Sequence, residues 1–478
     1  MPVPSVRPLR HAVLCLAAFL LTACGSLQWR ALGPDDSHFV VLGDGGAIVA
    51  RAITRDAECP LIRYDYRVER MNERMAPASL PQRSVVSEAE FAKPSDFPVR
   101  TCEAQLPPGT SSASIKGHAL PMPVTEPKRL VVIGDTGCRL QRNSDRTKPG
   151  TYQDCNDPAA FPFAAIAAKA AEWKPDLVIH LGDYHYRENA CPADRPGCAG
   201  SPWGYGWDTW REDFFRPAAP LLRAAPWVVT RGNHESCYRG GQGWWRFLDP
   251  RALLKARDCN DPVYDYYGDY SDPYAVPMGD GAQLLVLDTS NALLRALPSG
   301  EYRAKMFRDT YIKTAQLGRS GAHNIALTHH ALLGFYPFRA ADGSIALDGG
   351  NASLLSVFSP ISDGLLLPPT VDVLLSGHTH AWQQVSFSTP HATQFISGFS
   401  GTSPDTVPLP MTVPPGSSPA PGAIAERVSS WTGGFGYMTM EKHSAGRWSV
   451  TVFDTQGAVK NRCLVDGKKS VCDVALIQ

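Results

Sequence analysis

The stretch DLVIHLGDYHY (residues 176–186) joins an apolar run to a polar segment that begins with Gly-Asp. The short run of branched apolar side chains predicts a buried strand, and Asp183 follows its end. Four other apolar runs are likewise followed by potential metal ligands. These are LVVI before Gly134-Asp135, WVVT before Gly232-Asn233-His234-Glu235, NIAL before Thr328-His329-His330, and VDVLL before Gly377-His378-Thr379-His380. The repeated arrangement predicts a site formed at the ends of several strands.

Helical segments separate these strands, which predicts an α/β domain from Lys128 onward. Residues 159–173 are rich in alanine, and residues 301–317 have apolar side chains near helical spacing. Further strands are predicted at residues 283–287, 436–440 and 448–452. In such sheets ligands bind at the carboxyl ends of the strands, where the five motifs lie. Hard oxygen ligands combined with imidazoles predict a site for two metal ions, and such sites mostly hydrolyse phosphate esters.

The ordered set of motifs resembles the calcineurin-like metallophosphoesterases over residues 128–380. Gly182-Asp183-Tyr184-His185-Tyr186 contains Gly-Asp-x-x-Tyr, which is similar to the purple acid phosphatase branch. The resemblance implies a four-layer α/β/β/α sandwich, with a catalytic domain at residues 128–478. It also implies an acid phosphatase that cleaves phosphomonoesters by attack of a metal-bound hydroxide on phosphorus.

The same resemblance assigns the metal ligands. Asp183 is expected to bridge the two ions. The ligands expected to complete the shell of one ion are Asp135, Tyr186 and His380. Those expected for the other ion are Asn233, His329 and His378. Because a phenolate favours a hard trivalent ion, Fe(III) is expected on the tyrosine side, with divalent Fe, Zn or Mn on the other. Tyr186 could instead be a packing tyrosine beside two divalent ions.

A catalytic role is expected for His234, since the matching histidine of the family contacts phosphate and assists the leaving alkoxide. Glu235 is expected to orient neighbouring histidines. The family often has further histidines several residues beyond the fourth motif, but residues 332–339 contain none. His330 or His185 is therefore expected to compensate, in contact either with the substrate or with the metal ligands.

Residues 1–23 predict an export signal. Arg7 and Arg10 precede an apolar run at residues 12–21, which is too short to span a bilayer comfortably. Leu21-Thr22-Ala23-Cys24 resembles a bacterial lipobox, in which Cys24 becomes the lipidated first residue; an ordinary cleaved signal peptide is the alternative. We therefore expect an exported periplasmic or cell-surface lipoprotein, held at the outer membrane through Cys24.

Ten cysteines follow Cys24 in the sequence. An exported protein meets an oxidising compartment, in which disulfides form and persist. Pairing between sequence neighbours is the simplest prediction, although some buried thiols could remain free. The predicted pairs are Cys59–Cys102, Cys138–Cys155, Cys191–Cys198, Cys237–Cys259 and Cys463–Cys472.

Residues 24–127 are expected to form a small β-rich domain before the catalytic domain. Residues 39–42 and 47–50 flank Gly43-Asp44-Gly45-Gly46, which predicts a β-hairpin rather than another metal motif. Residues 106–127 are predicted to be a linker or irregular cover. Residues 403–422 contain seven prolines and predict a long surface loop that interrupts the catalytic domain.

The 478-residue chain has 46 basic and 46 acidic side chains and a formal net charge of zero. Nucleic-acid binders usually show a basic excess, so no nucleic-acid partner is expected. The expected partner is a small phosphate ester. A phosphodiesterase or nucleotidase on the same metals is the alternative within this class. An envelope binding module with a non-catalytic site is the alternative of another class, against which the presence of all seven ligands argues.

Overall fold

The computed structural model describes residues 1–2, 33, 35–81, 93–143, 149–409, 413–414 and 416–475. Cys24 and nearly all of the predicted leader lie outside the described residues. The strands are β1 (Ser37–Leu42), β2 (Ile48–Thr54), β3 (Leu61–Tyr64), β4 (Arg67–Arg70), β5 (Asn72–Met75), β6 (Ala78–Leu80), β7 (Ser95–Phe97), β8 (Arg100–Leu106), β9 (Ala113–Ile115), β10 (His118–Ala119), β11 (Arg129–Ile133), β12 (Leu140–Gln141), β13 (Thr151–Tyr152), β14 (Leu177–His180), β15 (Trp227–Val229), β16 (Tyr274–Pro277), β17 (Ala282–Val286), β18 (His323–Leu327), β19 (Tyr336–Arg339), β20 (Ile345–Asp348), β21 (Val371–Ser376), β22 (Trp382–Phe387), β23 (Thr393–Ser397), β24 (Ala425–Trp431), β25 (Gly436–Ser444), β26 (Arg447–Asp454), β27 (Val459–Asp466) and β28 (Lys469–Cys472). The α-helices are α1 (Phe163–Glu172), α2 (Trp207–Trp210), α3 (Ala219–Leu222), α4 (Gly241–Phe247), α5 (Asp265–Gly268), α6 (Tyr302–Leu317) and α7 (Ala352–Phe358).

Two large sheets carry the described core. The larger has eleven strands in the order β28-β27-β26-β25-β11-β14-β15-β1-β2-β8-β5. Its centre is parallel, because β14 pairs in parallel with β11 and β15, and β15 pairs in parallel with β1. The smaller sheet has seven strands in the order β16-β17-β18-β21-β23-β22-β24, and β17, β18, β21 and β23 are parallel neighbours. Parallel strands point their carboxyl ends toward one edge of a sheet, which suits a site assembled from strand ends.

The two sheets pack face to face, and helices cover their outer faces. Val132 of β11 shares a buried cluster with Leu284 of β17 between the sheets. The adjacent Val131 points to the opposite face and packs in a cluster with α1. On the other sheet, Leu285 packs in a cluster with residues of α6 and α7. Because successive side chains of a strand alternate between faces, apolar strands of this kind need cover on both sides. The predicted four-layer α/β/β/α sandwich is confirmed.

The elements predicted from periodicity are present. Helix α1 lies within residues 159–173, and α6 occupies almost all of residues 301–317. Strand β17 (Ala282–Val286) covers all but the last residue of the run predicted at residues 283–287. Strands β25 and β26 cover the runs predicted at residues 436–440 and 448–452. Both of these last strands return to the larger sheet, where β25 pairs with β11.

The region before residue 128 is rich in β-strand, as expected, but most of it is not a separate body. The predicted hairpin is β1 and β2, which pair from Ser37↔Ile53 to Leu42↔Ile48. Strand β1 continues the larger sheet by pairing with β15 at Val41↔Trp227, and β2, β8 and β5 extend it further. The boundary expected at residue 127 therefore falls within one continuous sheet. A smaller sheet, β10-β9-β3-β4, includes part of the stretch expected to be a linker.

All five predicted disulfides are formed between sequence neighbours. Cys138–Cys155 closes the loop that follows Asp135, and Cys237–Cys259 ties down the loop that follows Asn233. Each closed loop removes conformational freedom from the unfolded chain and restrains the backbone beside a predicted ligand.

The proline-rich stretch is more than a surface loop. Leu409 and Ala420 are buried and belong to the apolar cluster beneath α6 and α7. Its first residues also approach the strand ends of the predicted site. In the part of the chain that the structure describes, no helix combines the length and apolar character needed to cross a membrane.

Candidate metal centre

The predicted ligands follow strand ends in both sheets. Asp135 lies just after β11, Asp183 after β14, His329 after β18, and His378 after β21. Asn233 begins a 3-10 turn, Asn233–Glu235, shortly after β15. Asp135, Asp183 and His378 adopt positive φ angles of 55°, 58° and 68°. Such angles are uncommon for residues other than glycine and cluster at functional loops, where packing maintains them.

Tyr186 is the centre of one half of the cluster. Its hydroxyl oxygen lies 2.9 Å from Asp135 Oδ1, 2.8 Å from Asp183 Oδ2 and 2.8 Å from His380 Nε2. A phenol has one proton to donate, so it cannot satisfy both carboxylates and an imidazole nitrogen together. A cation coordinated by these four groups satisfies all of them.

Asn233 is the centre of the other half. Its Oδ1 lies 3.0 Å from His329 Nε2 and 2.9 Å from His378 Nδ1. His329 Nε2 is also 3.1 Å from Asp183 Oδ2, the same oxygen that Tyr186 contacts. Single donor atoms of Asp183, His329 and His378 lie within 4.8 Å of one another. The structure thus brings all seven predicted ligands together, with Asp183 between the two halves.

The donor set fits metal ions. Asp135 and Asp183 are buried, and their ion-pair partners among the described residues are histidines: His380 for Asp135, and His329 and His234 for Asp183. Buried carboxylates are paired or coordinate metals, and two of these three partners, His329 and His380, are themselves predicted ligands. Backbone N–H groups fix their orientation, since His378 N donates to Asp135 Oδ2 at 3.0 Å and His234 N donates to Asp183 Oδ1 at 2.8 Å.

The electrostatics of the ligands favour a bound cation. Burial raises the pKa of Tyr186 well above its ordinary value, and the charges of Asp135 and Asp183 raise it further. Burial also disfavours ionised Asp183, but His329 and His234 outweigh it and hold the pKa of Asp183 well below its usual range. Burial lowers the pKa of His329, but the Asp183 charge prevails and raises it to about 9. A positive ion at the cluster would stabilise tyrosinate and replace the proton on His329.

Glu235 organises the backbone of two motifs rather than the histidines that it was expected to orient. Its carboxylate accepts hydrogen bonds from the backbone N–H groups of Gly232 and Asp183, both at 3.0 Å. It also accepts from those of Tyr184 at 2.8 Å and His185 at 3.3 Å. This buried carboxylate therefore joins the loop that contains Asp183 to the loop that contains Asn233.

His234 lies at the edge of the cluster. Its ring stacks at 3.9 Å, centroid to centroid, on that of Tyr186, and its Nε2 is 3.9 Å from Asp183 Oδ2. Its Nδ1 is 3.2 Å from Glu188 Oε1, and both ring nitrogens are 2.9 Å from Arg239 Nη2. Burial lowers the pKa of His234, and Arg239 adds to that effect. Sequence reasoning missed Glu188 and Arg239, although one lies two residues after Tyr186 and the other five after His234.

His330 and His185 occupy different places. The ring of His330 packs 4.2 Å from that of His378, and its Nδ1 is 3.4 Å from Thr289 Oγ1. Burial lowers the pKa of His330 well below its ordinary value, and the neighbouring His378 lowers it further. The ring of His185 instead contacts Thr209 Oγ1 at 3.0 Å and packs near aromatic rings on that side. The structure thus brings His330 to the cluster and turns His185 away from it.

A second carboxylate supports the tyrosine half. His380 Nδ1 lies 3.0 Å from the carbonyl oxygen of Ser403 and 3.2 Å from Asp405 Oδ2. Asp405 is in turn 3.2 Å from Arg139 Nη1. The proline-rich segment supplies Ser403 and Asp405, so no motif near His380 could have revealed them.

The chain is similar to a known family in sequence and to known structures in fold. Residues 128–382 match the family model described as calcineurin-like phosphoesterase. The chain is similar in fold to the purple acid phosphatase PPD1 from yellow lupin (Lupinus luteus) seeds, with a TM-score of 0.54 and 14% identity over 92% of this chain and 74% of that one. It is also similar to PhoD, with a TM-score of 0.49 and 11% identity over 92% of each chain. No curated protein matches the chain in sequence.

Proposed function

From the premise that this chain belongs to the calcineurin-like phosphoesterase family, we propose that it is a dinuclear-metal hydrolase that cleaves phosphomonoesters in the manner of an acid phosphatase. The family implies a dinuclear metal site and hydrolysis of phosphoric esters. The observation that carries the finer assignment is the Tyr186 hydroxyl, which lies 2.8–2.9 Å from Asp135, Asp183 and His380.

The two halves of the cluster differ in charge, which supports two different metals. The half with Tyr186 offers a phenolate and carboxylates, which favour a hard trivalent ion such as Fe(III). The half with Asn233 offers a neutral amide oxygen and imidazoles, which suit divalent Fe, Zn or Mn. Asp183 would bridge them, because its Oδ2 lies within 3.1 Å of both Tyr186 and His329. Two bound ions would supply Lewis acidity to the phosphoryl group and to the attacking water.

His234 is the proposed proton donor to the leaving alkoxide. Glu188 can accept the proton on Nδ1 of His234, which fixes the ring and directs its Nε2 toward Asp183. A general acid must lie within reach of the leaving oxygen, and this ring stands at the edge of the ligand cluster. Tyr186 limits its motion by stacking on one face. His330 is proposed to support the other half of the site through its packing on His378.

Export is supported by the five disulfides, since such bonds persist in oxidising compartments. We further propose attachment to the outer membrane through a lipid on Cys24, so that the enzyme acts on small phosphate esters in the periplasm or at the cell surface. Replacing Cys24 with alanine should move the protein from the membrane fraction to the soluble fraction. A Cys24→Ala protein that still fractionates with membranes contradicts the lipid anchor.

The test of the activity is kcat/KM for an aryl phosphomonoester and its matched phosphodiester, from acidic to neutral pH. A soluble form beginning at Ser26, supplied with iron and zinc, is compared with its Asp183→Asn variant to exclude contaminating phosphatases. A clear monoester preference supports the proposal. A diester preference would keep the metal site and move the function to a phosphodiesterase or nucleotidase. Binding of two metals with no turnover of either ester would favour an envelope binding module.

A further inference from the structure

Arg239 is a buried cation beside the ligand cluster. It follows the 3-10 turn Asn233–Glu235 and precedes α4, in the loop that the Cys237–Cys259 disulfide ties down. Its backbone N–H donates to the carbonyl oxygen of Ser236 at 2.9 Å, which closes the loop locally. Only 8% of its side chain is exposed, so its guanidinium occupies a restrained position.

The contacts of the guanidinium leave one nitrogen available. Arg239 Nε donates to Glu188 Oε1 at 2.5 Å, and Nη2 lies 2.9 Å from both ring nitrogens of His234. Nη1 has no hydrogen-bond partner among the described residues. It is also absent from the set of unpartnered side-chain atoms that are fully enclosed, so solvent can reach it. Buried arginine nitrogens normally have partners, so an unpaired one that solvent can reach beside a metal cluster indicates a ligand contact.

We propose that Arg239 binds a terminal oxygen of the phosphoryl group and thereby favours monoesters over diesters. The inference rests on the proposed function, because it takes the phosphoryl group to lie at the seven-ligand cluster next to His234. Glu188 is the positioning residue, since it holds Nε of Arg239 and leaves the other side of the guanidinium to face the substrate.

The selectivity follows from the oxygens of the two ester classes. A monoester has three terminal oxygens and carries nearly two negative charges near neutral pH. A diester has two terminal oxygens and one negative charge. Once the ligand cluster has bound the oxygens that it contacts, a diester therefore has fewer terminal oxygens left to accept a hydrogen bond from Arg239. Because Glu188 balances the charge of Arg239, the contribution is a directional, charge-assisted hydrogen bond more than a net attraction. Such bonds account for roughly 10- to 100-fold in kcat/KM.

The experiment compares wild type with Arg239→Met, Arg239→Lys and the double variant Glu188→Gln/Arg239→Met. The double variant removes both buried charges, which guards against a loss caused by an unpaired Glu188. Arg251→Met is the matched control, since Arg251 also pairs with a buried carboxylate, Asp249, outside the cluster. Metal content, kcat/KM for a matched monoester and diester, and the Kd of inorganic phosphate by calorimetry are measured on each metal-loaded protein.

We expect Arg239→Met and the double variant to bind both metals, to lose roughly 10- to 100-fold in monoester kcat/KM, and to change little toward the diester. Phosphate binding should weaken by a similar factor, Arg239→Lys should recover part of it, and Arg251→Met should keep the wild-type ester ratio. Equal losses on both esters, or unchanged phosphate affinity with full metal content, overturn the role of Arg239. If wild type hydrolyses no monoester, the proposed function fails by itself, and phosphate affinity alone then decides whether Arg239 is a phosphate contact.

Discussion

Replacement of Asp405 by asparagine should selectively lower the affinity of the protein for one of the two proposed metal ions. The Asp405 carboxylate lies 3.2 Å from Nδ1 of His380, whose Nε2 faces the hydroxyl of Tyr186 at 2.8 Å. A carboxylate that accepts the far N–H of a metal-binding imidazole fixes its tautomer and makes it a better ligand. Asparagine has nearly the same shape as aspartate but no charge, so the substitution tests this support and little else.

The size of the effect follows from the contacts that remain. Loss of such a partner typically lowers metal affinity by roughly 10- to 100-fold. The carbonyl oxygen of Ser403 stays 3.0 Å from the same nitrogen of His380 and can still accept its proton. We therefore expect the lower part of that range, about 10-fold, which corresponds to about 1.4 kcal/mol. The affinity for the ion proposed to bind Asn233, His329 and His378 should change less, because Asp405 forms no hydrogen bond or ion pair with those side chains among the described residues and reaches His378 only through its charge.

The assay is competition with a chelator, starting from metal-free protein and reading the two ions separately. Asp309→Asn is the matched control, because Asp309 pairs with Lys305 on the solvent side of α6 at 2.8 Å. In a double-mutant cycle, Arg139→Gln should add little once Asp405 is neutral, since Arg139 would act through that carboxylate. Wild-type affinity for both ions in Asp405→Asn would refute the reasoning. Equal loss of both ions would show instead that Asp405 maintains the fold.

Three further outcomes are expected. Tyr186→Phe should abolish the visible charge-transfer band of iron-loaded protein, as read by absorbance, while circular dichroism stays unchanged; a retained colour means that Tyr186 is not an iron ligand. Asp183→Asn should lose both metals together in elemental analysis, because Asp183 Oδ2 lies within 3.1 Å of both halves, and a variant that keeps two ions contradicts the bridge. The third concerns His38, whose ring nitrogens have no hydrogen-bond partners among the described residues and whose pKa burial lowers to about 4. As the pH falls, the unfolded state therefore takes up a proton on His38 before the folded state does. The contribution of neutral His38 to the free energy of unfolding is complete above pH 6.5, and the free energy of unfolding should fall by up to about 3 kcal/mol as the pH drops to 4. Urea unfolding across that range should show a weaker decline for His38→Phe, and identical pH profiles would contradict this assignment.

Much of the catalytic region could be predicted from the sequence because its signals are local. Each ligand follows an apolar run, and such a run predicts a strand without knowledge of its neighbours. The helices at α1 and α6 have their own composition and spacing, and each disulfide joins cysteines that are adjacent in the cysteine order. The β1–β2 hairpin could also be predicted from the sequence, since its turn residues lie between its two strands.

The place of that hairpin in the molecule could not be predicted from the sequence. Val41 pairs with Trp227 across 186 residues, and one strand can complete any sheet edge that matches its length and apolar faces. Strands pair through backbone hydrogen bonds, which every residue other than proline can form, so the side chains of a strand do not specify its partner. The region before residue 128 could therefore be predicted as β-rich but not as an extension of the larger sheet.

The amino-acid sequence alone thus determined which side chains with metal-binding chemistry follow strand ends, because ligand chemistry belongs to the side chain and strand ends can be recognised locally. Only the tertiary structure decided which polar groups surround them. It turned His185 toward Thr209, brought Asp405 to His380 from the proline-rich segment, and placed Arg239 and Glu188 around His234. The physical reason is that the direction of a side chain and its distant neighbours depend on the packing of whole elements, which no local spacing encodes.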